Sequence, residues 1–204
     1  MRVSLVAVVA IASLACTALA GNYIITIDGK RYEVDLDKRF TVALQDGKTV
    51  QVALEKKDIA AFSAGVFSFS HPSHVAPART DLGDGVHQTM MVTPSGTMVM
   101  IQEYSGINPS GLVDFMLTEL LKESVQYGYK ITKTPASKKL ADGRTVTGKR
   151  AVSKYQADVY DLFVLCYGTR DAGIMIITQI EKAAPREDVA MIDMFWKSMR
   201  ISIR

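Results

Sequence analysis

Val159-Tyr160-Asp161-Leu162-Phe163-Val164-Leu165-Cys166-Tyr167, followed across Asp171-Ala172 by Gly173-Ile174-Met175-Ile176-Ile177-Thr178-Gln179-Ile180, is the stretch that decides the fold. Both runs are short, rich in β-branched and aromatic residues, and apolar on both faces, so each reads as a strand buried on two sides. The tight turn between them makes them antiparallel neighbours. Such strands need a cover above and another below.

Working outward, residues 86–93 and 97–104 flank the turn Pro94-Ser95-Gly96 and repeat the pattern, with Met90, Met91 and Val92 opposite Met98, Val99, Met100 and Ile101. Val66-Phe67-Ser68-Phe69 is a further strand that runs into His71-Pro72, where proline ends or bends it. Residues 129–134 and 137–141 read as strand, and Asp142-Gly143 turns the chain into residues 144–154. The covers are two helices. Asn108 caps the first, Pro109 fits its opening turn and Gly128 suits its stop. Its apolar stripe is Leu112, Val113, Met116, Leu117, Leu120 and Leu121. The second helix begins near Pro185, with Glu187 and Asp188 at its positive end and a stripe of Val189, Ile192, Phe195 or Trp196, and Met199. Short connections make most strand neighbours antiparallel. The expected class is therefore α+β: an antiparallel sheet flanked by helices, an α/β/α-type sandwich, over residues 64–204.

Residues 22–55 differ. Ile24, Tyr32, Val34, Val42, Val50 and Val52 alternate with charged and polar residues, the pattern of strands with one wet face. Asp28-Gly29 and Asp46-Gly47 are hairpin turns, because tight hairpins need positive φ. An N-terminal β-meander over residues 21–58 is expected, closed by the charged run Glu55-Lys56-Lys57-Asp58.

Residues 1–20 read as a secretory signal peptide: Arg2 gives a positive start, residues 3–15 are almost wholly apolar, and Ala18-Leu19-Ala20 supplies small residues for cleavage after Ala20. The apolar run is short for a membrane span, and no later run approaches the needed length without charges. Ser13-Leu14-Ala15-Cys16 is the alternative, a lipoprotein-type box with a lipid anchor at Cys16; Ser13 stands where a large aliphatic residue is expected. A periplasmic or secreted protein is expected. The net charge of +3, one unit of it from Arg2, is too mild to argue for nucleic acid, and no dense Lys/Arg block occurs. Loss of Cys16 with the leader leaves Cys166 as a lone thiol in an apolar strand, where an inert buried role is expected.

Phe67-Ser68-Phe69-Ser70-His71-Pro72, the hairpin over residues 86–104, the long helix after Pro109, Asp142-Gly143 leading to Gly148-Lys149-Arg150-Ala151, and the closing helix with its short tail together resemble the PsbP/Mog-like superfamily, which includes PsbP-like and DcrB-like exported proteins. The resemblance covers about residues 64–204 and leaves residues 21–58 outside. It implies a binding or assembly role without catalysis.

Chemistry-bearing motifs are sparse. His71-Pro72-Ser73-His74, with Asp81 and Asp84 downstream, has the composition of a divalent-metal site, making His71 and His74 weak candidate ligands. Pro72 prevents the helical presentation that makes paired histidines convincing, and loop histidines without a metal are the simpler expectation. Met90, Met91, Met98 and Met100 near His87 are soft ligands for Cu(I), yet buried strands also use Met to fill gaps. No Gly-x-Ser-x-Gly elbow, phosphate loop or zinc-protease motif occurs, and Thr93-Pro94-Ser95-Gly96-Thr97 reads as a turn. The expectation is a non-enzymatic module of the bacterial cell envelope, without cofactor, acting on another envelope or periplasmic protein, with a strand added at the meander edge as the mode of contact. A small-ligand or metal-binding periplasmic protein is the alternative, and a hydrolase joining Ser, His and Asp in one pocket a third.

Overall fold

The computed structural model describes residues 23–44 and 46–203. The leader, its cleavage point and Cys16 lie outside the described residues. The chain divides into two units, Met1–Lys56 and Lys57–Arg204.

In the first unit, β1 (Tyr23–Ile27) pairs antiparallel with β2 (Lys30–Val34), and β3 (Arg39–Ala43) with β4 (Thr49–Ala53). Asp28-Gly29 closes the first hairpin with both residues at positive φ. Where the sequence suggests one meander, the described strands form two separate two-stranded ladders. The reason lies between Val34 and Arg39. Asp37, at φ 61°, turns the chain and its N–H bonds to the carbonyl of Leu54, past the end of β4, so β2 and β3 do not run on into one hairpin. Val34 and Val42 are buried, while Tyr23, Ile24 and Val50 stay exposed.

The second unit holds the remaining elements: β5 (Ile59–Ser63), β6 (Phe67–Pro72), β7 (Ala78–Gly83), β8 (Val86–Val92), β9 (Met98–Ser105), α1 (Val113–Gln126), β10 (Lys130–Lys139), β11 (Thr145–Tyr155), β12 (Asp158–Gly168), β13 (Ala172–Glu181), α2 (Arg186–Ser198) and β14 (Arg200–Ile201). Seven strands form one antiparallel sheet in the order β10-β11-β12-β13-β9-β8-β7, and β14-β6-β5 form a smaller one. The fold is thus α+β with predominantly antiparallel sheet. No helix of the described residues is long and apolar enough to cross a membrane.

Side chains alternate across a strand, and β12 divides accordingly. Leu162, Val164 and Cys166 join Met175 and Ile177 of β13 and Val113, Leu117 and Leu121 of α1 in one apolar cluster. Leu165 joins Ile174 and Ile176 of β13, Val99 and Ile101 of β9, and Met191, Phe195 and Trp196 of α2 in another, with Phe67 and Phe69 of β6. The two clusters lie on opposite faces of the large sheet. Phe69 stands edge-on to Phe195 at 5.2 Å between centroids, so the small sheet and α2 share one core.

α1 enters the sheet by close approach. Asn108 caps a short 3₁₀ turn over Pro109–Leu112, its Oδ1 accepting from Ser110 N at 3.0 Å. This turn rests on Gly168 and Gly173, which face each other across β12 and β13. A Cβ on Gly173 would lie 2.3 Å from Pro109 Cδ and 2.8 Å from the Tyr167 carbonyl; one on Gly168 would lie 2.3 Å from Asn108 Oδ1. Only a hydrogen fits at either place.

Two features depart from the sequence reading. Val189 is 45% exposed, and Asp188 and Met191 are turned inward in its stead. Pro135 does not interrupt β10, because β10 is an edge strand and needs no outward donor there.

Gly173→Ala is expected to destabilise the protein by about 1–3 kcal/mol, because a rigid ring and a backbone carbonyl must both move. Gly168→Ala should cost about 1 kcal/mol through loss of the Asn108 cap. Chemical denaturation of both variants measures the difference.

Candidate functional site

Asp188 sits three residues into α2, where its carboxylate faces the amino end of the helix dipole. It is 5% exposed, and its Oδ2 accepts from Thr93 Oγ1 at 2.8 Å and from Ser95 Oγ. Burial pushes its pKa up, but the hydroxyls of Ser95 and Thr93 outweigh that and hold it below the ordinary carboxylate value. The β8–β9 turn is thereby locked onto α2. A cavity of about 300 Å³ opens beside the lock and is lined in part by His74, Ser95, Glu187 and Asp188. Ser, His and Asp therefore do meet at one cavity. Ser95, however, donates straight to a carboxylate held ionised, which is a weak base, and His74 makes no hydrogen bond to either residue. The arrangement orders a turn and leaves Ser95 without a partner that would take its proton.

The two candidate metal ligands are separated by burial. His71 lies inside the small sheet's core, where its Nδ1 donates to the Pro72 carbonyl at 2.9 Å and its ring meets Phe69 edge-on. His74 is exposed. Asp81 faces His87 instead, at 3.8 Å. Among the described residues no three His, Cys, Asp or Glu side chains are grouped to hold a metal ion. The methionines split by strand parity. Met91 is buried in the α2-side core, on the face that carries His87, while Met90, Met98 and Met100 are half-buried on the α1 side.

A more concentrated site lies at the carboxyl end of α1. The helix stops in a Schellman turn: Gly128 takes φ 87° and its N–H bonds to the Val125 carbonyl, while Tyr129 N–H bonds to the Ser124 carbonyl at 2.9 Å. Glycine suits the position because a Cβ is strained at so large a positive φ. The turn delivers Tyr129 beside Tyr155, at 5.3 Å between centroids, and Tyr160, at 6.1 Å. The sheet supplies the floor by register. Ser153, Tyr160 and Glu181 are successive partners across β11, β12 and β13, and Leu162 pairs with Gln179 one step on, so all five share one face. The resulting cleft encloses about 310 Å³ between Glu123, Tyr127 and Tyr129 above and Ser153, Tyr160 and Gln179 below.

The cleft is polar and electronegative. Burial raises the Tyr129 phenol above its ordinary pKa, and the charges of Asp158 and Glu181 raise it further. Tyr160 is raised by burial, then by Glu181 and Asp158. No sequence motif marks these residues. Their assembly follows from strand register and the Gly128 turn, and an isolated Tyr in each of several strands carries no spacing signal.

Cys166 lies under the start of α1, its Sγ donating to the Pro109 carbonyl at 3.7 Å, and burial pushes the thiol up to about 12. A thiol so placed is protonated at neutral pH and shielded from reagents.

Asp188→Ala should destabilise by about 1–3 kcal/mol, since the buried Thr93 hydroxyl loses its acceptor and the Ser95 tie to α2 is lost. With a folded pKa below the unfolded one, the carboxylate's stabilisation is complete above about pH 4 and is lost as pH falls through the folded value. Asp188→Asn should flatten that acid limb in urea titrations across pH. Iodoacetamide at pH 8 should leave Cys166 unmodified in the folded protein and alkylate it in urea, as read by peptide mass.

No family model matches the chain, and no curated protein matches it. A solved structure from Bacteroides thetaiotaomicron is similar over 71% of this chain and 48% of that one, with 12% sequence identity and a TM-score of 0.37. The chain spans about half the length of that protein.

Proposed function

We propose that this is an exported, non-enzymatic binding module of the bacterial cell envelope: a PsbP/Mog-like α/β/α sandwich preceded by hairpins that dock another envelope protein. The leader's composition supports export to the periplasm or beyond, with the mature chain starting at Gly21.

One observation carries the docking mode. Each ladder of residues 23–54 has only two strands among the described residues, and Tyr23, Ile24 and Val50 are exposed on them. A lone two-stranded hairpin is marginally stable in water and gains from a third strand. An extended segment of a partner, added at an edge, satisfies the outer backbone groups and covers those side chains.

Cross-linking of tagged protein in its native envelope, followed by mass spectrometry, should capture one dominant partner in stoichiometric amount. The double variant Ile24→Lys/Val50→Lys should lose that capture while residues 57–204 keep their thermal transition. Undiminished capture by the double variant would remove the hairpins from the interface.

A further inference from the structure

The cleft at the carboxyl end of α1 goes beyond the docking role, since it lies wholly within residues 57–204. Four observations converge on its ligand. Ser153 is 2% exposed, lines the cleft, and its hydroxyl has no hydrogen-bond partner among the described residues. The little surface that Ser153 keeps opens on the cleft, where its hydroxyl is free to bond a ligand. The Gln179 amide, half-buried on the same lining, likewise has no hydrogen-bond partner among the described residues. Glu123 lines the cleft, and Asp158 and Glu181 lie close enough to raise the tyrosine phenols; none of the three forms an ion pair among the described residues. α1 ends here with no basic residue in its last turn, so its terminal carbonyls add further negative potential.

Uncompensated carboxylates beside tyrosine rings attract a cation, because the ring face is itself the negative end of a quadrupole. An anionic ligand meets only repulsion. A neutral ligand gains the hydroxyl and amide but leaves the charge unbalanced. The volume, about 310 Å³, is at the small end of ligand sites and suits a compact molecule. We propose that the cleft walled by Tyr129 and Tyr160 and floored by Ser153 and Gln179 binds a small organic cation, an ammonium group that carries a hydrogen-bonding hydroxyl or amide. The cation sits over the tyrosine faces with Glu123 alongside, and its polar arm meets Ser153 and Gln179.

The test compares choline chloride with neohexanol, its uncharged carbon isostere, at constant ionic strength, by NMR of the tyrosine ring resonances of the full protein. Choline is expected to shift the Tyr129 and Tyr160 rings saturably, with neohexanol on the order of tenfold weaker. Tyr160→Leu should weaken choline by a similar factor. Glu123→Gln, at an exposed position that leaves the fold intact, should weaken choline but not neohexanol. Equal affinity for the two compounds, or choline binding unaffected by Glu123→Gln, would overturn the assignment, as would tyrosine rings that choline leaves unshifted.

Discussion

The β12–β13–β9 centre of the large sheet carries apolar side chains on both faces, and this double burial is the constraint on which the rest of residues 57–204 depends. Leu165, Ile174 and Ile176 on one side and Val164, Cys166 and Ile177 on the other are at or near zero exposure. Burying one Leu or Ile contributes about 1.5–3 kcal/mol, so leaving either face wet would forfeit more than the net stability of an ordinary domain. Both covers are therefore obligatory, and much of the remaining sequence serves to place them.

They are placed by different means. α1 is set by steric allowance: two paired glycines let Asn108 and Pro109 descend to the backbone, and the cap fixes where the first turn begins. α2 is set by polar chemistry, with Asp188 gathering hydroxyls from the β8–β9 turn at the helix's amino end. A third tie holds the chain's end. Asp142 accepts from Ile201 N at 2.7 Å and from Arg144 N at 3.0 Å, while Arg144 donates to the Ile201 carbonyl. Each tie binds elements distant in sequence, so each makes sense only once the sheet has formed.

Legibility in the sequence follows the same division. Two-sided apolar runs, turn dipeptides, the Asn108-Pro109 start and the Gly128 stop are local signals, and the strands and helices they mark are where they were expected. β7 gave no signal because all six of its residues are exposed at a sheet edge, so no face of it is selected for apolarity. β5 alternates only weakly, with Ala60 and Phe62 turned partly inward. Asp188 was legible as a helix-start acid but not as a buried one, since its burial is decided by hydroxyls more than ninety positions away in the chain. The same holds for the tyrosine cleft. Its members come from the β8–β9 turn, α1, the turn after it, β11, β12 and β13, and only the register places Ser153 opposite Tyr160 and Leu162 opposite Gln179.

That origin explains why the cleft is where it is. α1 ends at Gln126, and the Gly128 turn swings the chain onto the sheet's edge strand before β10 begins. Beyond the last helical turn the α1-side face of the sheet has no helix above it, and the residues there are no longer Leu, Val and Ile but Ser153, Tyr160, Gln179 and Glu181. The polarity change along β12 and β13 marks the boundary of the cover: apolar where α1 lies, polar where it stops. A sheet meeting solvent alone would need only scattered charge there. Three tyrosines with Glu123 beside them, over a Ser153 hydroxyl that no described residue satisfies, are more than solvation requires, and they turn the margin of the helix into a place for a ligand.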